Sequence, residues 1–206
     1  MAKYTDAKCR QCRREGCKLF LKGERCTSGK CAIDRRPVVP GQHGAARKKV
    51  TEYGLQLREK QKVRRAYGML ERQFANLYEE AARSKQQTGL ALLQMLELRL
   101  DNVAYRMGIG SSRAEARQRV GQNHLTVNGK KVNIPSYRVK VGDVIAVKES
   151  SQSLEMFKAL KELKIVTPKW IEFSAETLTG KILALPERDD IDLNIKENLI
   201  VEYYSR

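Results

Sequence analysis

The sequence predicts an α+β chain, and three observations lead to that class. Apolar residues between Leu55 and Gly108 recur at helical spacing. After Leu125 the chain changes to short strand-like runs broken by turn residues, starting at Asn128-Gly129, the strongest short hairpin signal. Residues 1–50 have no period and are punctuated by Gly, Pro and Cys.

The elements follow in order. Leu57–Arg65 reads as a short basic helix. Glu71–Ala82 is a second, with Phe74, Leu77, Tyr78 and Ala81 at i, i+3, i+4 and i+7. Thr88-Gly89 opens a third and longer one, with Leu92, Leu93, Leu96, Leu100, Val103 and Met107 inward and Gly108 as its stop. Ser112-Arg113-Ala114-Glu115 has the form of a capping box, and Gly121 is the expected end of the helix it starts. Leu125-Thr126-Val127 and Lys130–Ile134 make the hairpin. Tyr137–Val147 reads as strands around Val141-Gly142-Asp143, and Leu154–Leu163 as a helix. Trp170–Phe173 and Lys181–Leu185 read as strands, Pro186–Asp192 as an acidic loop, and Leu199–Tyr204 as a final strand or extended tail.

Charge narrows the function. The 206 residues carry a net +16, which favours an anionic partner and says nothing of fold. The excess is segregated: residues 1–50 hold 14 basic and 4 acidic side chains, residues 99–147 hold 9 and 3, and residues 148–206 hold 9 and 11. Between Arg99 and Lys140 the basic residues lie on a compact helix-and-hairpin pattern rather than a tail. Cations at fixed spacing suit a phosphate backbone. A membrane surface fits less well, since no run of about 18 apolar residues exists. Met1–Asp6 shows no apolar leader, so a cytosolic chain without structural disulfides is expected.

All five cysteines fall in the first 31 residues. Cys9-x2-Cys12 and Cys26-x4-Cys31, separated by 13 residues, are near the spacing of a four-thiolate zinc site. A segment without an apolar core gains its order from such an ion, worth about 10–16 kcal/mol in small finger peptides. Nearby Lys8, Arg10, Arg13, Arg14, Arg25 and Lys30 are expected to lower thiol pKa values. Cys17 is the odd thiol out. An iron–sulfur cluster on the same four thiolates, a redox pair at Cys9-Cys12 or plain free thiols are the alternatives. Four protein ligands leave no open position, so the site would be structural. His43 and His124 are placed as loop or hydrogen-bonding residues.

Six runs, taken together, resemble the bacterial ribosomal protein S-four family along essentially the whole chain. They are Pro37-x-x-Pro40-Gly41-Gln42-His43-Gly44, Leu57–Lys62, Arg99–Val103, Asn123–Gly129, Ile134–Val139 and Glu202–Arg206. The resemblance implies a basic metal-bearing N-terminal extension at 1–44, an α-helical domain at 45–90 plus 190–206, and an inserted α+β RNA-binding domain with an antiparallel sheet at 91–189, whose core module is 99–147. It implies direct binding of small-subunit ribosomal RNA, nucleation of the subunit body, contact with ribosomal protein S-five that affects decoding accuracy, proximity to the mRNA entry, and repression of its own operon in some members. It implies a cytoplasmic, ribosome-bound location. The cysteines place the chain with the metal-bearing members.

The expected RNA contacts are Arg99, Arg106, Arg113, Arg117, Arg119, Lys130, Lys131 and Arg138 in the centre. In the N-terminal lobe they are Arg10, Arg13, Arg14, Arg35, Arg36, Arg47, Lys48 and Lys49. Tyr137 is read as stacking or packing, and His43 as an RNA contact or a turn residue. An RNA-modifying enzyme with the same module would need a catalytic loop, and no P-loop, GxGxxG or Ser/His/Asp pattern is present. A zinc-bearing DNA-binding transcription factor would need a recognition helix after the cysteines, and none is visible at 17–31. No enzymatic activity is expected.

Overall fold

The computed structural model describes residues 3–46, 49–163 and 165–206. They form two units: Met1–Leu92 with Leu193–Arg206, and Leu93–Asp192.

The first unit begins with three short helices, α1 (Cys9–Glu15), α2 (Glu24–Thr27) and α3 (Ala32–Arg35). Two long ones follow, α4 (Glu52–Ala66) and α5 (Glu71–Ala82). α4 starts five residues ahead of the expected Leu57, because the Thr51 hydroxyl accepts the Gly54 amide at 3.1 Å and caps the first turn. α6 (Thr88–Glu97) carries the boundary between the units.

The long helix expected from Thr88 to Gly108 is in fact two. α7 (Leu100–Arg106) is separate from α6, and Arg99 between them is extended, with φ −70° and ψ 137°. The reason lies outside the local pattern. The Leu100 amide donates to Tyr137 O at 2.8 Å and the Val139 amide to Leu98 O at 3.0 Å, so residues 98–100 pair as a strand with 137–139. The apolar period alone runs through this break.

α8 (Arg113–Gly121) is capped by the Ser112 hydroxyl, which accepts the Glu115 amide at 3.3 Å. Half of the expected box is replaced: the Glu115 carboxylate takes the Ser111 amide at 2.8 Å and the Ser111 hydroxyl at 2.6 Å. The helix ends at Gly121 as expected, and the left-handed turn beyond it is made by Asn123, φ 66°.

The sheet of the second unit contains β1 (Leu125–Val127), β2 (Lys130–Lys131), β3 (Val144–Val147), β4 (Ile171–Ser174) and β5 (Thr179–Ile182). Its order is β2-β1-β3-β5-β4 with every pair antiparallel. Asn128 and Gly129 both have positive φ, 50° and 77°, as a two-residue type I′ hairpin requires. Tyr137–Val147 yields only β3 as a regular strand, since residues 137–139 are spent on the α6–α7 break. The strand expected at Lys181–Leu185 is shifted, and pairs over Thr179–Ile182. The acidic loop holds a 3-10 turn at Arg188–Asp190.

Two short helices, α9 (Glu149–Gln152) and α10 (Glu155–Glu162), link β3 to β4. Phe157 of α10, Val103 of α7 and Met107 just after it, Val120 of α8, and Leu125, Ile145 and Ile182 of the sheet are fully buried in one core. β5 lies so close to α7 that a Cβ at Gly180 would stand 2.6 Å from Met107 Cε.

The expected tail at 199–204 is a helix, α11 (Glu197–Tyr204). Its aromatic, β-branched composition favours a strand by propensity, and docking on α4 overrides it. Ile200 is fully buried. The Tyr204 ring stacks on Tyr78 at 4.4 Å between centroids, and Lys60, 3% exposed, points its ammonium at the Tyr203 ring, 4.5 Å from its centre. Gln56 donates to Glu202 at 3.0 Å, and Lys60 also pairs with Glu71. Ile200→Ala is expected to weaken the first unit by about 2–5 kcal/mol in chemical denaturation, with the Phe157 environment unchanged.

Candidate nucleic-acid interface

The four spaced thiols share one neighbourhood. Cys12, Cys26 and Cys31 are buried and Cys9 is half-buried. The Lys22 amide donates to Cys26 Sγ at 3.3 Å. Burial pushes the Cys12 thiol up. The Leu19 amide opposes this, and Cys26, Cys9 and Cys31 add to the rise. The expectation that neighbouring cations would lower the thiols therefore fails at Cys12, where desolvation is the larger effect. Cys17 faces Lys62, Glu15 and Glu59 instead, and burial raises it too. Among the described residues no three His, Cys, Asp or Glu side chains are drawn together as a metal shell. Sulfur donors are the type that a soft cation prefers.

Several N-terminal cations are exposed: Arg10, Arg14, Arg35, Arg36 and Lys49. His43 is exposed in the turn at 41–46. Arg13 donates from Nε to Val38 O at 2.8 Å and Arg35 to Gly29 O at 3.2 Å, so both also hold their loops. Arg47 and Lys48 lie outside the described residues.

In the second unit five of the six named arginines are engaged inside the protein. Arg99, 5% exposed, donates to both Asp101 oxygens, at 3.0 and 2.8 Å. Arg117 donates to the same carboxylate at 2.9 Å. Arg106, 8% exposed, makes a two-pronged contact with Glu97 at 2.9 and 3.0 Å and also reaches Asp192. Burial opposes the Arg106 charge, but Glu97 and Asp192 outweigh it and raise its pKa further. Asn102 ties Arg113 to the Glu97 group. It donates to Glu97 at 2.7 Å and accepts Arg113 Nε at 2.8 Å, while the Arg113 guanidinium lies 4.6 Å from the Tyr105 ring centre. Arg119 bonds Glu115 and Ile109 O and lies over Phe157.

These contacts fix α7 against α8. Charge counting missed them, although Glu97 and Asp101 inside an otherwise apolar period are the visible signal of internal partners. The hairpin itself presents Lys130 and Lys131, both exposed, with exposed Tyr137 and half-buried Arg138 following. His124 is internal: its Nδ1 is 2.9 Å from Ser151 Oγ and its ring meets Phe157 edge-on. No described helix is long and apolar enough to cross a membrane.

A helix pair braced by buried arginines, followed by a lysine-tipped hairpin, is the arrangement that the S4 domain family matches here, over residues 98–145. The family described as Ribosomal protein S4/S9 N-terminal domain matches residues 3–97. Over 208 residues, and over the full length of both chains, this chain is 62% identical to the small ribosomal subunit protein uS4 of Ruminiclostridium cellulolyticum and 62% identical to that of Acetivibrio thermocellus. It is 60% identical over 207 residues to uS4 of Clostridioides difficile. The chain belongs to the ribosomal protein S4 family.

Two outcomes are expected from this geometry. Asp101→Ala leaves Arg99 and Arg117 facing no carboxylate at that position and should cost about 3–5 kcal/mol, read by chemical denaturation of the second unit. Glu115 is held below the ordinary carboxylate range. Burial works against this, and the Ser111 hydroxyl and amide with Arg119 prevail. Its lowered folded-state pKa gives stability that is present above the unfolded value and lost as pH falls through the folded one. Acid titration should weaken the wild type through that window, and Glu115→Gln should flatten this component.

Proposed function

We propose that the chain is a non-enzymatic structural constituent of the small ribosomal subunit that binds small-subunit ribosomal RNA. The observation that carries this is the full-length identity of 62% with proteins named as small ribosomal subunit protein uS4. The segregated positive charge supports it physically, because neutralised phosphates release counterions and drive binding. Such RNA is read through shape and unpaired nucleotides more than through base edges in a groove.

The surface that meets RNA is assigned to Lys130, Lys131, Tyr137 and Arg138, the outer edges of Arg113, Arg117 and Arg119, and N-terminal Arg10, Arg13, Arg14, Arg35, Arg36, His43, Arg47, Lys48 and Lys49. Arg99 and Arg106 act beneath it as struts, since a guanidinium enclosed by carboxylates inside the unit positions others rather than reaching a partner. The same reading includes early binding that nucleates the subunit body, contact with ribosomal protein S-five, proximity to the mRNA entry and a cytoplasmic place in the subunit. The resemblance of the six sequence runs supports these parts.

Cys9, Cys12, Cys26 and Cys31 hold a structural zinc ion in this proposal. Their spacing, the burial of three of them and the N–H donor on Cys26 support it; an iron–sulfur cluster is the competing occupant. The ion supplies the cohesion that this segment lacks in apolar residues. Cys9→Ser should lose the metal by elemental analysis and loosen residues before Pro40 while α4 and α5 keep their helicity. One zinc per chain retained in that variant refutes the site.

RNA binding is tested by filter binding of small-subunit ribosomal RNA across a salt series. Lys130→Gln/Lys131→Gln should lower the log–log salt slope by about 0.7–0.9 for each phosphate no longer neutralised. An unchanged slope and affinity would remove the hairpin from the interface, and failure of the wild type to bind the RNA would end the proposal.

A further inference from the structure

Tyr4, Arg10, Arg14, Pro40, Arg64 and Arg65 line an open hollow of about 200 Å³ in the first unit. Arg10 and Arg14 stand at i and i+4 on α1, so their side chains leave one face of that helix. Arg64 and Arg65 come from the last turn of α4. Four arginines thus border one small space.

The carboxylates nearby do not balance them. Glu15, its side chain 1% exposed, pairs with Arg65 but also with Arg58 at 3.2 Å. Glu71 lies 3.4 Å from Arg64 but also pairs with Lys60. Among the described residues no carboxylate lies within ion-pair distance of Arg10 or Arg14; Arg14 reaches Glu15 only at longer range. Arg65 Nε is buried and has no hydrogen-bond partner among the described residues. Buried donors are normally satisfied, and Glu15 Oε2 on the paired carboxylate is buried without a partner as well; it is the exposed Arg10 and Arg14, with no carboxylate in ion-pair distance, that leave the hollow open to an oxyanion. Guanidinium forks match phosphate oxygens in geometry as well as charge.

Size and shape narrow the ligand. Small-molecule sites usually enclose about 300–1,000 Å³, more than this hollow offers, whereas a phosphodiester group with its sugar is a smaller load. The tyrosine on the rim, Tyr4, is 38% exposed, an accessible ring on which a base can stack. A paired base is held inside its duplex and cannot reach such a ring while its own phosphate fills the hollow. We propose that this hollow receives the phosphodiester of an unpaired RNA nucleotide whose base stacks on Tyr4. The inference rests on the RNA-binding reading above and specifies one subsite of it.

The test uses the full chain with an unpaired RNA octanucleotide and, separately, a blunt RNA duplex, each over a salt series. Tyr4→Ala should weaken octanucleotide binding by about fivefold or more, with Tyr4→Phe near the wild type and the duplex unaffected. Arg10→Gln/Arg14→Gln should lower the octanucleotide salt slope by about 0.7 for each phosphate that those guanidinium groups had neutralised. Both arginines and Tyr4 are exposed, and unchanged far-ultraviolet dichroism checks the fold. Octanucleotide binding unchanged in both variants, or the duplex weakened equally, overturns the subsite. If the wild type still binds ribosomal RNA and Lys130→Gln/Lys131→Gln lowers that slope, only this inference has failed. If the wild type binds no RNA of any kind, the broader reading has failed with it.

Discussion

The carboxylate of Asp101 is the point on which the second unit turns. It is almost wholly enclosed, and it receives a two-pronged guanidinium from Arg99 and a further donor from Arg117. Arg99 stands where the chain leaves α6 and pairs with residue 138, so the same ion group fixes the helix break and the approach of the segment after the hairpin. Arg117 is on α8, so the group also sets the angle of that helix. Buried ion pairs are poor sources of net stability but severe when broken. Their use here is geometric: they hold a cationic surface in shape without spending its outermost charges.

The first unit solves a similar problem with aromatic rings. A buried lysine would be costly alone. Lys60 is accommodated because Glu71 neutralises it and two tyrosine faces from α11 lie near its ammonium. The N-terminal segment has neither a large core nor such a cage. Among its described residues, Leu19, Leu21 and three cysteines are the apolar groups that it buries.

Elements with strong local signals were legible in the sequence. α5 falls at Glu71–Ala82 as its apolar spacing indicates, and the Asn128-Gly129 hairpin needs only the backbone freedom of those two residues. Family membership was legible from the six runs. The failures share one cause, contacts from far along the chain. Leu98–Leu100 keeps the helical period but is recruited by residues 137–139, and Leu199–Tyr204 has strand-like composition but is held as a helix by α4. At the candidate site the sequence showed where cations cluster. It did not show which of them are spent on Glu97, Asp101 and Asn102, because sidedness depends on how helices face each other.

The discontinuity of the first unit has a consequence for synthesis. Leu193–Arg206 belong to it, yet they follow the whole of Leu93–Asp192 in the chain. During translation, at about 5–20 residues per second, α4 and α5 emerge long before α11 exists to cover them. Lys60, Phe74 and Tyr78 must wait, part of their packing unmade, while the intervening unit is produced and has time to fold. The unit that begins first is therefore completed last, and its unfinished apolar face is a natural place for chaperones to engage the nascent polypeptide.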